Sequence, residues 1–230
     1  MKKERFLRYF SLFLLLFSLL FRAAPIPAGA EVLRSVATDG NRIALTFDDG
    51  PHPHLTPRIL DILDRYGVRA TFFMIGENVG YYPQAARAVA ARGHEIGNHT
   101  FSHCRLAGVG SERARQELDE CAGQIERVCG VRPRLFRPPE GAVDGPLLSV
   151  AGTAGYHVVL WSIDTRDWES KNTTAIVSRV LSSVKPGDVI LMHDFIGHDS
   201  KTPEALEQLL PKLLALGYEP VTVSELFGVG

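Results

Sequence analysis

Asp48 and Asp49 stand side by side at the end of the apolar run Arg42–Phe47, just before Gly50 and Pro51. Asp, Gly and Pro suit a turn, yet adjacent carboxylates repel each other unless a cation or a guanidinium compensates them. A metal ion on Asp49 and an arginine near Asp48 would resolve that conflict. His99 and His103 have the i, i+4 spacing that brings two imidazoles to one face of a helical turn, a common metal-ligand arrangement; the same spacing also occurs in surface and core histidines. One Asp and two His leave coordination positions open for water and substrate, as a catalytic centre requires. Such donors suit Zn²⁺, and equally Co²⁺, Mn²⁺, Ni²⁺ or Fe²⁺. Arg137, Asp164, Asp167 and His193 are further reactive side chains at the ends of apolar runs.

The elements that would position these residues alternate along the chain. Arg42–Phe47, Arg69–Ile75, His94–Gly97, Arg134–Arg137, His157–Ile163, Asp188–Met192 and Glu219–Val223 read as short β-branched or aromatic strands. Thr56–Tyr66, Pro83–Arg92, Ser111–Cys129, Gly145–Ala154, Thr174–Val184 and Pro203–Leu216 read as helices. Gly67, Gly93, Gly130, Gly155 and Gly217 fall where those helices should end. Seven strands separated by helices predict a parallel sheet buried on both faces, open or closed into a barrel. Parallel strands put their C-terminal ends on one rim, where α/β folds carry their active sites. Asp48 and Asp49 follow the first strand, His99 and His103 the third, Arg137 ends the fourth, Asp164 and Asp167 follow the fifth, and His193 follows the sixth.

The first thirty residues obey different physics. Lys2, Lys3, Arg5 and Arg8 precede an apolar run from Tyr9 to Phe21. Those thirteen residues would rise about 20 Å as a helix, short of the roughly 30 Å of a bilayer core. Ala28-Gly29-Ala30 offers the small residues of a processing site, so residues 1–30 read as a cleaved signal peptide, with a retained N-terminal anchor as the alternative, and 31–230 as one exported domain, secreted or associated with the cell envelope. Membrane contact is expected only through that N-terminal segment. Its five basic residues and one acidic one leave 20 Lys+Arg against 25 Asp+Glu in the rest, a net charge of −5. That sign disfavours nucleic acid, while a neutral polysaccharide needs no long-range attraction. Cys121 falls on an apolar stripe with Leu118, Ile125 and Val128 and reads as a core thiol; Cys129, eight residues on in the same helix, lies beyond disulfide reach of it. A Cys104–Cys121 bridge stays open at this level.

Five segments then carry a resemblance: Thr46-Phe47-Asp48-Asp49-Gly50, His99 to His103, Arg137-Pro138-Pro139-Glu140-Gly141, Asp164 to Trp168, and Leu191-Met192-His193. In that order they resemble the motifs of the polysaccharide deacetylases (carbohydrate esterase family 4, the NodB-homology domain), over roughly residues 40–227. The resemblance implies an α/β fold, a distorted barrel of seven β/α units in a single domain. It implies a divalent metal on Asp49, His99 and His103, with Asp48 as the base toward a metal-activated water. Arg137 would hold Asp48 ionised and oriented, and His193 would be the acid, paired with Asp167. Trp168 and Leu191 would line an apolar pocket for the acetyl methyl. Glu140 stands where many members carry an aromatic residue whose backbone N–H helps hold the oxyanion; its own N–H could serve, while its carboxylate alters the rim.

The chemistry implied is amide hydrolysis of N-acetyl groups on a cell-wall polysaccharide, peptidoglycan first, by a monomer. Chitin-like oligosaccharides and acetylated xylan are alternative substrates. Two other readings compete: a catalytically silent carbohydrate-binding domain, which would be expected to lack a ligand, base or acid, and a non-haem iron oxygenase, which shares the two-His, one-Asp set but has no use for Asp48 and His193. His52, His54 and His198 are loop histidines near the rim; His94 and His157, at strand starts, read as structural.

Overall fold

The computed structural model describes residues 29–195, 197 and 199–229. The expected leader lies outside the described residues up to position 28, as does His198. Among the described residues the strands are β1 (Val32–Leu33), β2 (Arg42–Asp48), β3 (Thr71–Met74), β4 (Glu95–Asn98), β5 (Leu135–Phe136), β6 (His157–Val159), β7 (Ile163–Asp164), β8 (Val189–His193) and β9 (Glu219–Val221). The helices are α1 (Leu55–Arg65), α2 (Gly76–Tyr81), α3 (Pro83–Ala91), α4 (Ser111–Cys129), α5 (Gly145–Thr153), α6 (Thr173–Leu181), α7 (Thr202–Ala215) and α8 (Val223–Phe227), with a 3₁₀ turn at Pro139–Gly141. No described helix is long and apolar enough to cross a membrane.

All strand pairings are parallel, in the order β1-β6-β5-β4-β3-β2-β8-β7, with β9 beside the first half of β2. The stretch expected as one strand, His157–Ile163, is two. The Leu160 amide donates to Leu33 at one end of the sheet and the Ser162 amide to Val189 at the other, so the chain changes neighbours between them. Because β6 and β7 are joined by only three residues, a span of at most about 14 Å from Val159 to Ile163, the two ends of the sheet are drawn together. The result is a curled, distorted barrel. The remaining differences are local. The expected strand Glu219–Val223 stops at Val221 because Thr222 opens α8 with a reciprocal capping box to Glu225.

Side-chain alternation along each strand decides which residues reach the inside of the curl. In β2, Ile43, Leu45 and Phe47 face outward into the cluster shared with Ile59, Leu60 and Leu63 of α1 and Leu206, Leu209 and Leu210 of α7. Ala44 faces inward with Phe73, Leu135, Val159, Val189 and Val221. By the same parity Thr46 and Asp48 of β2, and their register partners Leu191 and His193 of β8, belong to the inner face. On β5, Leu135 is inward and Phe136 outward, so Arg137 is inward again.

Helix α4 covers the β3–β4 side. Its stripe of Leu118, Cys121 and Ile125 is fully buried, and Gly130 closes it in the left-handed conformation at φ 73° that a C-cap glycine adopts freely. Cys121 is the expected core thiol, its pKa pushed up to about 12 by burial, and all three cysteines are free.

Gly97 on β4 pairs in register with Phe73 on β3. A Cβ at Gly97 would lie 2.3 Å from the Phe73 ring, and that ring carries the Arg137 guanidinium 4.1 Å above its centroid. Gly97→Ala is therefore expected to overpack the inside of the curl by roughly 1–3 kcal/mol and to displace Arg137. A thermal melt should show a lowered Tm, and an activity assay a loss larger than the fraction unfolded accounts for.

Candidate active site

Asp48 ends β2 buried, and Arg137 meets it from across the curl. The Arg137 guanidinium is fully buried and uses each of its nitrogens: Nη1 donates to Asp48 Oδ1 at 2.7 Å and to Thr46 Oγ1 at 2.9 Å. Nε donates to the Val159 carbonyl at 3.3 Å and Nη2 to the Leu160 carbonyl at 3.1 Å. A buried guanidinium needs such a set, since an unpaired charge there would cost several kcal/mol. The arginine cannot rotate without breaking bonds to β2, β6 and the connection after β6, so Asp48 Oδ1 is held in place. Its other oxygen, Oδ2, lies 3.8 Å from His99 Nε2.

Asp49 turns away from Asp48 by taking a left-handed backbone at φ 73°. Its carbonyl accepts from Asn78 Nδ2 at 2.8 Å, and the Gly50 carbonyl accepts from the Ile75 amide at 2.9 Å. Its Oδ1 lies 3.3 Å from His99 Nε2 and 3.1 Å from His103 Nε2. Donors about 2.1 Å from a tetrahedral or octahedral cation sit about 3.0–3.4 Å apart, so these separations suit a shared ion. One donor atom each from Asp49, His99 and His103 falls within 4.8 Å of the others. His99 Nδ1 donates to the Arg137 carbonyl at 2.7 Å, which leaves Nε2 as the nitrogen facing Asp49. Burial works against ionisation of Asp49, but the two imidazoles beside it outweigh burial and lower its pKa.

The histidine loop differs from expectation. His99 to His103 is no helical turn: Thr100 and His103 adopt φ 66° and 59°, and the segment has no helical residues. The i, i+4 imidazoles meet because the loop folds back on itself, with ring centroids 5.2 Å apart.

His193 ends β8 beside Asp48. Its Nδ1 donates to Asp167 Oδ1 at 2.7 Å, and its backbone amide donates to Asp167 Oδ2 at 2.8 Å. Thr202 Oγ1 donates to Oδ2 as well, at 2.7 Å. Burial pulls the His193 imidazolium down, but the Asp167 contact outweighs it and carries the pKa up to about 9, with Asp48 and Asp49 adding to the effect. Next in the chain, Asp194 is buried against Gly50, where a Cβ would meet its carboxyl oxygens at 2.2 Å; it accepts from the Thr56 hydroxyl, and burial pushes its pKa up to about 7.

A cleft of about 430 Å³ opens over these groups, lined by Asp48, Asp49, His99, His103, His193, Glu140, Trp168 and Leu191, together with Asp164 and Trp161. Arg137 and Asp167 lie behind that surface, each at most 1% exposed, and act through the residues they hold. Trp161 was not singled out in the sequence. It lies two residues after the inward-facing Val159, so strand alternation alone would have put it on the inner face, where its ring lies 5.7 Å from the Arg137 guanidinium. Glu140 stands in a left-handed backbone at φ 59°, its carboxylate exposed at the rim and 3.2 Å from Arg105 Nε. Trp168, half exposed, also borders a neighbouring hollow of about 340 Å³ with Lys171 and Asp199.

Comparison with known proteins gives this geometry a context. The polysaccharide deacetylase family model matches residues 35–159. A peptidoglycan-N-acetylglucosamine deacetylase of Bacillus cereus is 42% identical over 186 residues, 80% of this chain and 87% of that protein. The crystal structure of the Bc1960 peptidoglycan N-acetylglucosamine deacetylase is similar with a TM-score of 0.84 at 36% identity, covering 86% of this chain and 94% of that one. A family 4 acetyl xylan esterase from Clostridium thermocellum, solved with a cobalt ion, has a TM-score of 0.76 at 35% identity, covering 82% and 93%. With the curled parallel sheet and its strand-end cluster, these matches establish that the chain belongs to the polysaccharide deacetylase family, the carbohydrate esterase family 4 hydrolases.

Proposed function

We propose that this chain hydrolyses N-acetyl groups on peptidoglycan, N-acetylglucosamine residues first, with a divalent cation, Zn²⁺ by preference, held by Asp49, His99 and His103. The observation that carries the reading is the pairing of Asp48 with His193 on adjacent strands, each locked by its own buried partner, beside a three-donor cluster. A bound cation supplies a lowered pKa for water and polarisation of the acetyl carbonyl. The protein's own groups do the rest. Asp48 Oδ1 is occupied by Arg137, so Oδ2 is the oxygen free to take a proton from the attacking water. His193 Nδ1 is occupied by Asp167, so Nε2 presents the proton that the leaving sugar amine must receive. The Glu140 backbone N–H is the candidate donor to the carbonyl oxygen, and Trp168 and Leu191 form the apolar wall for the methyl group. The curated relative acting on peptidoglycan supports the choice of polymer, and the leader-like segment at residues 1–30 supports export to the envelope, where a monomer would meet it.

Acetate release from purified peptidoglycan and from chitooligosaccharides, each with and without a chelator, tests the proposal. Release from peptidoglycan should stop with chelator and return with added Zn²⁺ or Co²⁺; release that ignores the chelator would remove the metal-dependent reading, and faster release from chitooligosaccharides would replace the polymer.

A second expectation concerns pH. His193 must be protonated to donate, so kcat/KM should fall as pH rises through about 9. Asp167→Asn removes the carboxylate that does most to raise the imidazole and leaves burial opposed only by Asp48 and Asp49. The alkaline limb should therefore move down from near pH 9, and a limb that stays in place would assign the proton to another group.

A further inference from the structure

The loop from His99 to His103 has no helical hydrogen bonds of its own, and its backbone groups find partners elsewhere. The His99 amide donates to the Met74 carbonyl, and the Thr100 amide to Asn98 Oδ1. The Thr100 and Phe101 carbonyls accept from the Gly76 and Glu77 amides at the start of α2. The two amides at the middle of the loop, Phe101 and Ser102, both donate to a single oxygen, Oε2 of Glu117, each at 2.9 Å. Glu117 Oε1 accepts from the Ser102 hydroxyl at 2.7 Å and from Arg113 one turn earlier on α4. Glu117 is fully buried. A buried carboxylate is costly unless its oxygens are saturated with donors, and here three of its four donors belong to the loop that carries the two histidines.

We propose that Glu117 is the positioning residue of the metal loop: its carboxylate replaces the helical hydrogen bonds the loop lacks and sets the separation of His99 and His103. Two non-glycine residues in left-handed backbone, Thr100 and His103, each store about 1–3 kcal/mol, and a loop so strained keeps its shape only while external bonds over-determine it. With Gly76 and Glu77 on one side and Glu117 on the other, the loop is clamped between α2 and α4. Glu117 touches neither the cleft nor a candidate ligand, so it would act only through the imidazoles. The inference rests on the reading that His99 and His103 bind a cation.

Binding of Zn²⁺, measured by competition with a chromogenic chelator on the purified chain, tests it alongside the Tm of the metal-free protein. Glu117→Ala should weaken Zn²⁺ binding by about 10- to 100-fold, the range seen when partners behind metal ligands are removed. Glu117→Gln, whose amide oxygen can still accept from both loop amides, should recover most of that loss. Should Ala at position 117 prevent folding, Glu117→Asp, which keeps the charge but withdraws the oxygens, is expected to show the same weakening. A purely structural role would lower the metal-free Tm of the Ala or Asp variant while leaving Zn²⁺ affinity unchanged, and that result would overturn the proposal. Absence of Zn²⁺ binding in the unsubstituted chain would remove the underlying site reading, and the proposal with it.

Discussion

Two carboxylates in succession at the closed end of a buried strand would repel each other, and the architecture around Asp48 and Asp49 is arranged to separate them. Strand parity turns Asp48 into the curl, where Arg137 waits fully buried, and a left-handed turn sends the Asp49 side chain to the two imidazoles. The guanidinium is in turn fixed by carbonyls from the stretch where the sheet changes neighbours and by the face of Phe73. Gly97 makes room for that ring. The chain of dependence thus runs from a missing side chain on β4 to the orientation of a carboxylate on β2. Its logic is steric at one end and electrostatic at the other.

The same division of labour recurs on the second side of the cleft. Three groups that face the open space have one atom committed to a buried neighbour and one left for chemistry. Asp48 commits Oδ1, His99 commits Nδ1 to the Arg137 carbonyl, and His193 commits Nδ1 to Asp167. Arg137 therefore touches both the Asp48 side chain and, through its carbonyl, a candidate ligand. This coupling means that Asp48 and the Asp49–His99–His103 cluster cannot drift apart independently, which is the preorganisation that the proposed hydrolysis requires.

Much of this was legible in the sequence because period-2 alternation and strand-end placement are local signals. The apolar runs before Asp48, Arg137 and His193 marked the strands, and helix α4 was expected with the boundaries Ser111–Cys129 that it has. Asp48, Asp49, His99, His103, Arg137, Asp164, Asp167 and His193, marked by type and strand-end placement, and Glu140, Trp168 and Leu191, marked by the family resemblance, all come to one rim or directly behind it. Other features were not legible, for identifiable reasons. The break between β6 and β7 depends on which neighbour each amide finds, and nothing in the run from His157 to Ile163 marks the exchange. The histidine spacing suggested a helical turn because i, i+4 is the usual way to pair imidazoles; the bonds that defeat that expectation come from α2 and α4, distant in sequence. Glu117 looked like any charged helix residue, since burial of one carboxylate is decided by what packs over it.

In the proposed mechanism Asp48 and Asp49, though adjacent, do separate work: Asp49 holds the cation and Asp48 moves the proton. Zn²⁺ affinity and acetate release measured in parallel on Asp48→Asn and Asp49→Asn test it most directly. The Asp49 variant should lose Zn²⁺ binding, and the Asp48 variant should keep it within a few-fold while turnover falls by about 10²–10⁴-fold. An Asp48 variant that loses the metal as completely as the Asp49 variant, or one that keeps full turnover, would contradict it.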